Sequence, residues 1–388
     1  MWFWDWSTWI WNSFHSISSE GKALIVAVVG AGIKWWMDSR FIRQLRQEIA
    51  RKEAVLEDKQ KRLDAAELNL QTAQAKLDEL KRSLHGSELG IWTSFGRKPP
   101  FEDYDVRVRR RNPVILTVAN NKGGVGKTTV VGNLAAYFDR KKGLKVLTID
   151  MDYQGSLSTL LRAERDQSVD RRSSVNELLE LGSSPETLLT AAQKLGARLS
   201  RSELVQAFYE LALFEDRLMV EWLLRENDGD DVRYRLANVL LQHPTIGKRY
   251  DLVLIDVPPR LSTATINALC SSTHLLVPTV FTPIAAETVE NFLVAANGLM
   301  SGLNPNLQFV GVLETMAPPR GVNGPARSEG RRVVQEGLSR SFPHISILNN
   351  CVPQAVSIAR SGVAYLNDAR ARRHFDAVGD EVATRLGL

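Results

Sequence analysis

The sequence predicts an α/β chain carried behind a long helical rod and a hydrophobic leading segment. Three observations predict it. From Val114 onward, short β-rich runs alternate with helical stretches. Ahead of them, an apolar residue recurs every seventh position from Ile42 to Leu84. Ahead again, residues 23–33 carry no charge, and seven of the nine tryptophans fall within the first 36 positions. The length of 388 residues suits more than one structural unit. A composition 44% hydrophobic and 24% charged excludes a wholly disordered, collagen-like or polytopic membrane chain.

The leading segment spans residues 1–37. Read as a helix, Asp5, Thr8, Asn12 and His15 form one polar stripe, and the remainder of residues 2–14 is aromatic or aliphatic. Trp2, Trp4, Trp6, Trp9 and Trp11 suit the headgroup layer of a bilayer, where an indole ring is half buried and its N–H stays wet. The uncharged run 23–33 would cover only about 16 Å as a helix, roughly half a hydrocarbon core. A thin-spanning helix, a shallow hairpin and burial against protein all remain open. If the segment spans, Arg40, Arg43 and Arg46 place its C-terminal side in the cytoplasm. The segment lacks the basic start and small-residue cleavage site of a secretory signal.

Residues 38–86 read as a coiled coil. Ile42, Ile49, Leu56, Leu63, Leu70, Leu77 and Leu84 form one seam, and Leu45, Lys52, Lys59, Ala66, Ala73 and Leu80 follow three positions later. No Pro or Gly interrupts this seam, which would make a rod of roughly 65 Å. The alternative is a lone amphipathic helix lying on another domain. Residues 87–112 are rich in Gly and Pro and contain the basic run Arg107 to Arg111, which reads as a linker or arm. Its arginines face either solvent or a polyanion. The net charge of +5 is spread as −1 over residues 1–38, +3 over 39–84 and +2 over 85–112. That leaves about +1 for the rest, so residues 113–388 are no basic nucleic-acid module by bulk charge. Cys270 and Cys351 lack any CxxC or Cys/His cluster, which argues against a disulfide framework or structural zinc and fits a reducing compartment.

Residues 113–388 hold the motif with chemistry. Residues 115–119 read as a buried strand. The loop Asn120-Asn121-Lys122-Gly123-Gly124-Val125-Gly126-Lys127-Thr128-Thr129 comes next, and then a helical run to about Tyr137. Strand, glycine loop and helix are the context of a phosphate-binding P-loop. Glycines let backbone N–H groups converge on phosphate oxygens at a positive helix end. Lys127 should reach the terminal phosphates and the Thr128 hydroxyl should ligate Mg²⁺. Asn121 stands where the general pattern has its first glycine.

The loop from Lys122 to Thr129 resembles the KGGVGKTT loop of the ParA/MinD family of P-loop ATPases, a deviant Walker A motif. The resemblance continues in order through Asp150-Met151-Asp152-Tyr153-Gln154-Gly155-Ser156, YDLVLIDVPP at 250–259, GVLETMAPPR at 311–320 and VPQAVSIARSG at 352–362. It implies a doubly wound, mainly parallel sheet and slow ATP hydrolysis with Mg²⁺, the timer of a homodimer that sandwiches two ATP molecules. By that resemblance, Gly123, Gly124, Val125, Gly126, Lys127, Thr128, Thr129 and Pro353 bind nucleotide. Lys122 crosses to the partner's phosphates, and Asp152 orients the attacking water. Thr128, Asp256 and Asp150 serve the metal.

Four features depart from the family pattern. Tyr153 stands where Pro is common, Ser156 stands where Asn is common, Arg260 replaces a small residue, and the stretch 162–249, with the acidic turn Asp228-Gly229-Asp230-Asp231, is longer and more helical. Arg327, Arg331, Arg332, Arg340, Arg360, Arg370, Arg372 and Arg373 are candidates for DNA phosphate contacts. The expected function is a membrane-associated, ATP-dimerised switch that positions or activates an unidentified protein partner at the cytoplasmic face of the inner membrane. Its rivals are a DNA-partitioning ATPase in the cytoplasm and a nucleotide-gated sensor or effector subunit.

Overall fold

A computed structural model describes residues 13–86, 90–93, 96–164, 172–224, 230–318, 324–355, 358 and 362–388. Trp2, Trp4, Trp6, Trp9, Trp11, Asp5, Thr8, Asn12, Asp228, Gly229, Arg320 and Arg360 lie outside these residues. The chain divides into two compact units, residues 1–82 and 83–388.

The first unit is dominated by one uninterrupted helix, α1 (Ser19–Gly86). Its continuity through Gly30 and Gly32 rules out the shallow hairpin considered for residues 23–37. No described helix is long and apolar enough to cross a membrane. Ion pairs four residues apart, with the acid first, brace its surface: Glu48–Lys52 at 3.2 Å, Glu57–Lys61 at 2.8 Å and Asp58–Arg62 at 3.0 Å. The seam residues Ile49, Leu56, Leu63 and Leu70 are all at least half exposed in the single chain.

The second unit is built on a seven-stranded sheet of order β3-β4-β2-β5-β1-β6-β7. The strands are β1 (Val114–Val118), β2 (Val146–Asp150), β3 (Gln193–Lys194), β4 (Ser202–Val205), β5 (Leu252–Asp256), β6 (His274–Thr279) and β7 (Gln308–Glu314). Every pairing is parallel except the short edge pair β3–β4. Strands buried on both faces need apolar residues at consecutive positions, which is why Val114 to Val118 and Leu252 to Ile255 read as near-continuous hydrophobic runs. Successive residues still divide between two cores: Ile115, Leu147, Val253 and Ile255 face one, and Leu116, Val118, Val146 and Leu254 the other. Helices α3 (Lys127–Arg140) and α8 (Ala369–Leu386) cover the second core through Leu134, Phe138, Phe375 and Val382. Helices α5 (Thr263–Ser271) and α6 (Pro283–Leu303) cover the first core, as does α4 (Glu210–Leu224) from the long insertion. Helix α7 (Gly324–Ser341) packs against α6. This is the doubly wound, mainly parallel arrangement that the motifs implied.

The segment read as a linker or arm over 87–112 is different. Residues 104–110 form helix α2 (Tyr104–Arg110), with Tyr104 and Val108 fully buried one turn apart. The Tyr104 hydroxyl donates to the Cys270 carbonyl, and Arg107 reaches the Leu241 carbonyl at 3.1 Å and Asp103 at 2.7 Å. Just upstream, Trp92 is 2% exposed and stacks on Trp222 at 5.8 Å. Arginine-rich sequence hid the two core positions that share one helix face. Tyr104→Ala should therefore cost on the order of 3–5 kcal/mol, as other large-to-small aromatic truncations in cores do. Denaturant unfolding of the full chain measures it, and a loss below about 1 kcal/mol would restore the solvated-arm reading.

Candidate functional site

The parallel sheet brings the ends of β1, β2 and β5 to one edge, where loops rather than strands must continue the chain. Val118 pairs in register with Asp256, and Asp256 with Asp150, so both acids lie beside the loop that leaves β1. That loop is fixed at its base. Asn120 donates through Nδ2 to the Pro278 carbonyl at 2.8 Å and accepts the Lys122 N–H on Oδ1 at 3.0 Å. Gly124 and Gly126 take φ of +71° and +81°, a region costly for other residues. A Cβ at Gly123 or Gly124 would meet nothing within 4 Å, so the backbone there borders open space. Helix α3 begins at Lys127, and its first turn has no side-chain cap from Gly126. Its N–H groups and the helix dipole are thus directed at the space an anion would fill.

Lys127 is only 7% exposed, and its Nζ donates to the Lys122 carbonyl at 3.2 Å across the loop. Burial lowers its pKa, against the pull of Asp256 and Asp152. Thr128 donates through its hydroxyl to Asp256 Oδ2 at 2.6 Å. The other oxygen of Asp256, Oδ1, is buried and has no hydrogen-bond partner among the described residues. Burial and neighbouring Asp150 push the Asp256 pKa well above the usual carboxylate range. An unpaired buried carboxylate oxygen beside a threonine hydroxyl is an oxygen donor set that suits a hard divalent cation. The residues present therefore fit Mg²⁺.

Asp150 does not share this arrangement. Its Oδ1 accepts the Asp152 N–H at 3.0 Å, and its Oδ2 accepts both the N–H and the hydroxyl of Ser158, at 2.8 and 2.7 Å. Both oxygens accept hydrogen bonds from the adjoining turn, so Asp150 braces that turn. Burial pushes its pKa up to about 7. Asp152 is 7% exposed, and its Oδ1 accepts the Gln154 N–H at 3.0 Å in a tight turn. That turn needs Gly155 at φ +63°, where a Cβ would stand 2.6 Å from the Ala207 carbonyl oxygen. Lys122 is half-buried and Thr129 offers its carbonyl to Asn133 at 2.7 Å.

One residue of the site escaped the sequence. Thr315, just past β7, donates to the carbonyls of Val125 and Thr279 at 2.8 and 3.0 Å, and so ties the glycine loop to β6. A threonine at the end of a hydrophobic strand carries no chemical signature, and only its place in the run 311–320 pointed to it. Pro353 lies beyond it: Ala317 N–H bonds the Val352 carbonyl at 3.0 Å, and Ala317 and Pro353 line a cavity of about 520 Å³ with Pro318, Cys351 and His374. No P-loop residue lines that cavity. Several arginines considered for DNA are already paired. Arg327 grips buried Glu314 with two bonds of 2.5 and 2.8 Å, and Arg332 bonds Glu329 and Glu336 at 2.6 Å each.

A family of proteins described as AAA domain matches residues 114–309. The chromosome-partitioning ATPase Soj of Thermus thermophilus is 36% identical over 203 residues, covering 52% of this chain and 68% of Soj. The chain is a P-loop ATPase of the ParA/MinD family. The chromosome partitioning protein ParA of Caulobacter vibrioides is 34% identical over 208 residues, covering 53% of this ATPase and 70% of ParA. Among solved structures, cobyrinic acid a,c-diamide synthase from Mycobacterium smegmatis, with a bound ATP analogue and magnesium, superposes at a TM-score of 0.53. It is 27% identical, covering 69% of this ATPase and 92% of the synthase. ATP and Mg²⁺ are the ATPase's cofactors, and ATP hydrolysis is its activity.

Proposed function

We propose that the chain is an ATP-dependent dimerising switch whose front end holds it to a membrane and whose output is the positioning or activation of a protein partner. The observation that carries the nucleotide half is the unpaired Asp256 oxygen beside Thr128 at the mouth of an open glycine loop. In this reading the N–H groups of Gly123, Gly124, Val125 and Gly126 hold phosphate oxygens together with Lys127 and Thr129. Thr128 and Asp256 hold Mg²⁺, which neutralises charge on the transferring phosphoryl group. Asp152 sits on the neighbouring turn, where it can orient the attacking water, and Pro353 borders the side on which the base would extend.

Lys122 is assigned the trans role, touching the phosphates of a second copy. Its carbonyl serves Lys127 at 3.2 Å, and its half-buried side chain starts from the open side of the glycine loop. A lysine that completes charge neutralisation only in the closed dimer makes hydrolysis depend on assembly. Lys122→Ala should keep ATP binding within about threefold while losing dimerisation in ATP. Sedimentation velocity with and without ATP checks this, and a variant that dimerises like the wild type refutes the role.

The front end supports two further parts of the proposal. The seven-residue seam of α1, exposed along a single chain, favours a coiled coil with another copy. Leu24, Val28, Trp35 and Trp36 are also exposed, and with Lys22 and Lys34 beside them they favour an interfacial membrane anchor over a spanning helix. Flotation of the full chain and of a chain lacking residues 1–37 on anionic vesicles tests the anchor, and equal recovery of both would sink it. Partitioning of DNA is the second reading. The names of the partitioning relatives favour it, and the spent arginines Arg327 and Arg332 weigh against it.

A further inference from the structure

Three departures from the family pattern meet at one point. Arg260 lies in the loop that leaves Asp256, and its guanidinium sits 5.7 Å from the centre of the Tyr153 ring, on the turn that holds Asp152. The same guanidinium bonds Glu215 Oε2 at 3.4 Å. Glu215 comes from α4 of the long insertion, and its side chain is 3% exposed. Its second oxygen, Oε1, accepts the Ala264 N–H at 2.7 Å, at the first turn of α5. One buried carboxylate therefore holds the Asp256 loop through Arg260 and holds the helix into which that loop runs. Thr265 closes the loop on itself by donating to the Arg260 carbonyl at 2.6 Å.

We infer that Glu215 and Arg260 are positioning residues for ATP hydrolysis, a latch by which the insertion sets the Asp256 loop against the Asp152 turn. Asp256 is anchored in β5, but the loop after it has to be held at a fixed place relative to the water-orienting side of the site. Backbone bonds of the sheet cannot reach that far. A carboxylate that is nearly out of water keeps a guanidinium in one position far better than a solvated pair does. Burial raises the Glu215 pKa, and the Ser262 hydroxyl, the Ala264 N–H and Arg260 act in the opposite direction. Arg260 is half exposed, so the pair can part and reform without opening the core. Tyr209, Leu213 and Val220 are exposed on or beside the same helix, so a load on that face would reach the site through Glu215.

The inference rests on hydrolysis at the P-loop, and the experiment separates the two. The full chain is assayed for steady-state ATP hydrolysis with Mg²⁺, for equilibrium binding of an ATP analogue, and for thermal unfolding. Glu215→Gln keeps an oxygen for Ala264 N–H and removes the charge that holds Arg260. Arg260→Ala removes the other partner from a half-exposed site. Each should lower kcat by about fivefold or more with KM within about twofold. The double variant should be no worse than either single, because two members of one contact are not additive. Arg260→Lys should recover part of the loss. Wild-type kcat in both singles, multiplied losses in the double variant, or a kcat loss that follows a fall in Tm would overturn the latch. A wild-type chain that neither binds analogue nor hydrolyses ATP would overturn the P-loop site first, and the latch with it.

Discussion

Lys127→Ala is expected to remove ATP binding while leaving the fold intact. In the nucleotide-free chain the ammonium is nearly out of water and answers one carbonyl, that of Lys122. Truncating one partner of a desolvated charge contact costs about 2–5 kcal/mol, which weakens nucleotide binding by roughly 30-fold to more than 1,000-fold. The same truncation relieves the desolvation that lowers the lysine's pKa, so Tm without nucleotide should hold or rise. Calorimetric titration with an ATP analogue reads the first effect and thermal unfolding the second. Unchanged affinity would end the assignment of the loop to phosphate.

Asp256→Asn is expected to separate stability from activity. Hydrolysis should fall by about 100-fold or more, since the metal's charge stabilisation is worth several kcal/mol. Stability of the nucleotide-free chain should move the other way. A carboxyl whose folded pKa exceeds its unfolded value binds its proton more tightly in the fold, so ionisation costs stability. For Asp150 that cost is absent below 3.8 and complete above about 7. For Asp256 it extends higher, because burial and Asp150 both raise it. The wild type without metal should therefore lose stability as pH rises through this range. The asparagine variant should lose less, and should be the more stable of the two at pH 8. Denaturation curves at pH 4 and pH 8 in chelator test this, and a variant less stable than wild type at pH 8 would contradict the electrostatic picture.

The residues that were legible in the sequence are those whose chemistry and neighbours lie close along the chain. Val114 to Val118, the glycines at 123, 124 and 126, and Lys127 to Thr129 announce strand, loop and helix within sixteen positions. Asp256 was legible as the acid ending a buried strand. Asp150 looked the same, and what distinguishes it is Ser158, whose hydroxyl and N–H reach back to take its oxygen. That pairing depends on how the turn folds, which no strand-end pattern encodes. Thr315 and Glu215 were invisible for a related reason. Each acts on a backbone group more than forty residues away, Val125 and Ala264 respectively. Helix α2 was hidden differently, because the surrounding arginines outweighed Tyr104 and Val108 in composition but not in packing.

Trp92 and Trp222 are the two tryptophans beyond position 36, and they stack at 5.8 Å with Arg233 5.2 Å from the Trp222 ring. A chain trimmed of its first 37 residues therefore keeps a single coupled pair of indoles as its whole tryptophan emission. One of them rides on α4, seven residues after Glu215. The insertion thus carries its own optical gauge: any displacement of α4 from the segment around Trp92 unstacks the pair and alters fluorescence without an added dye.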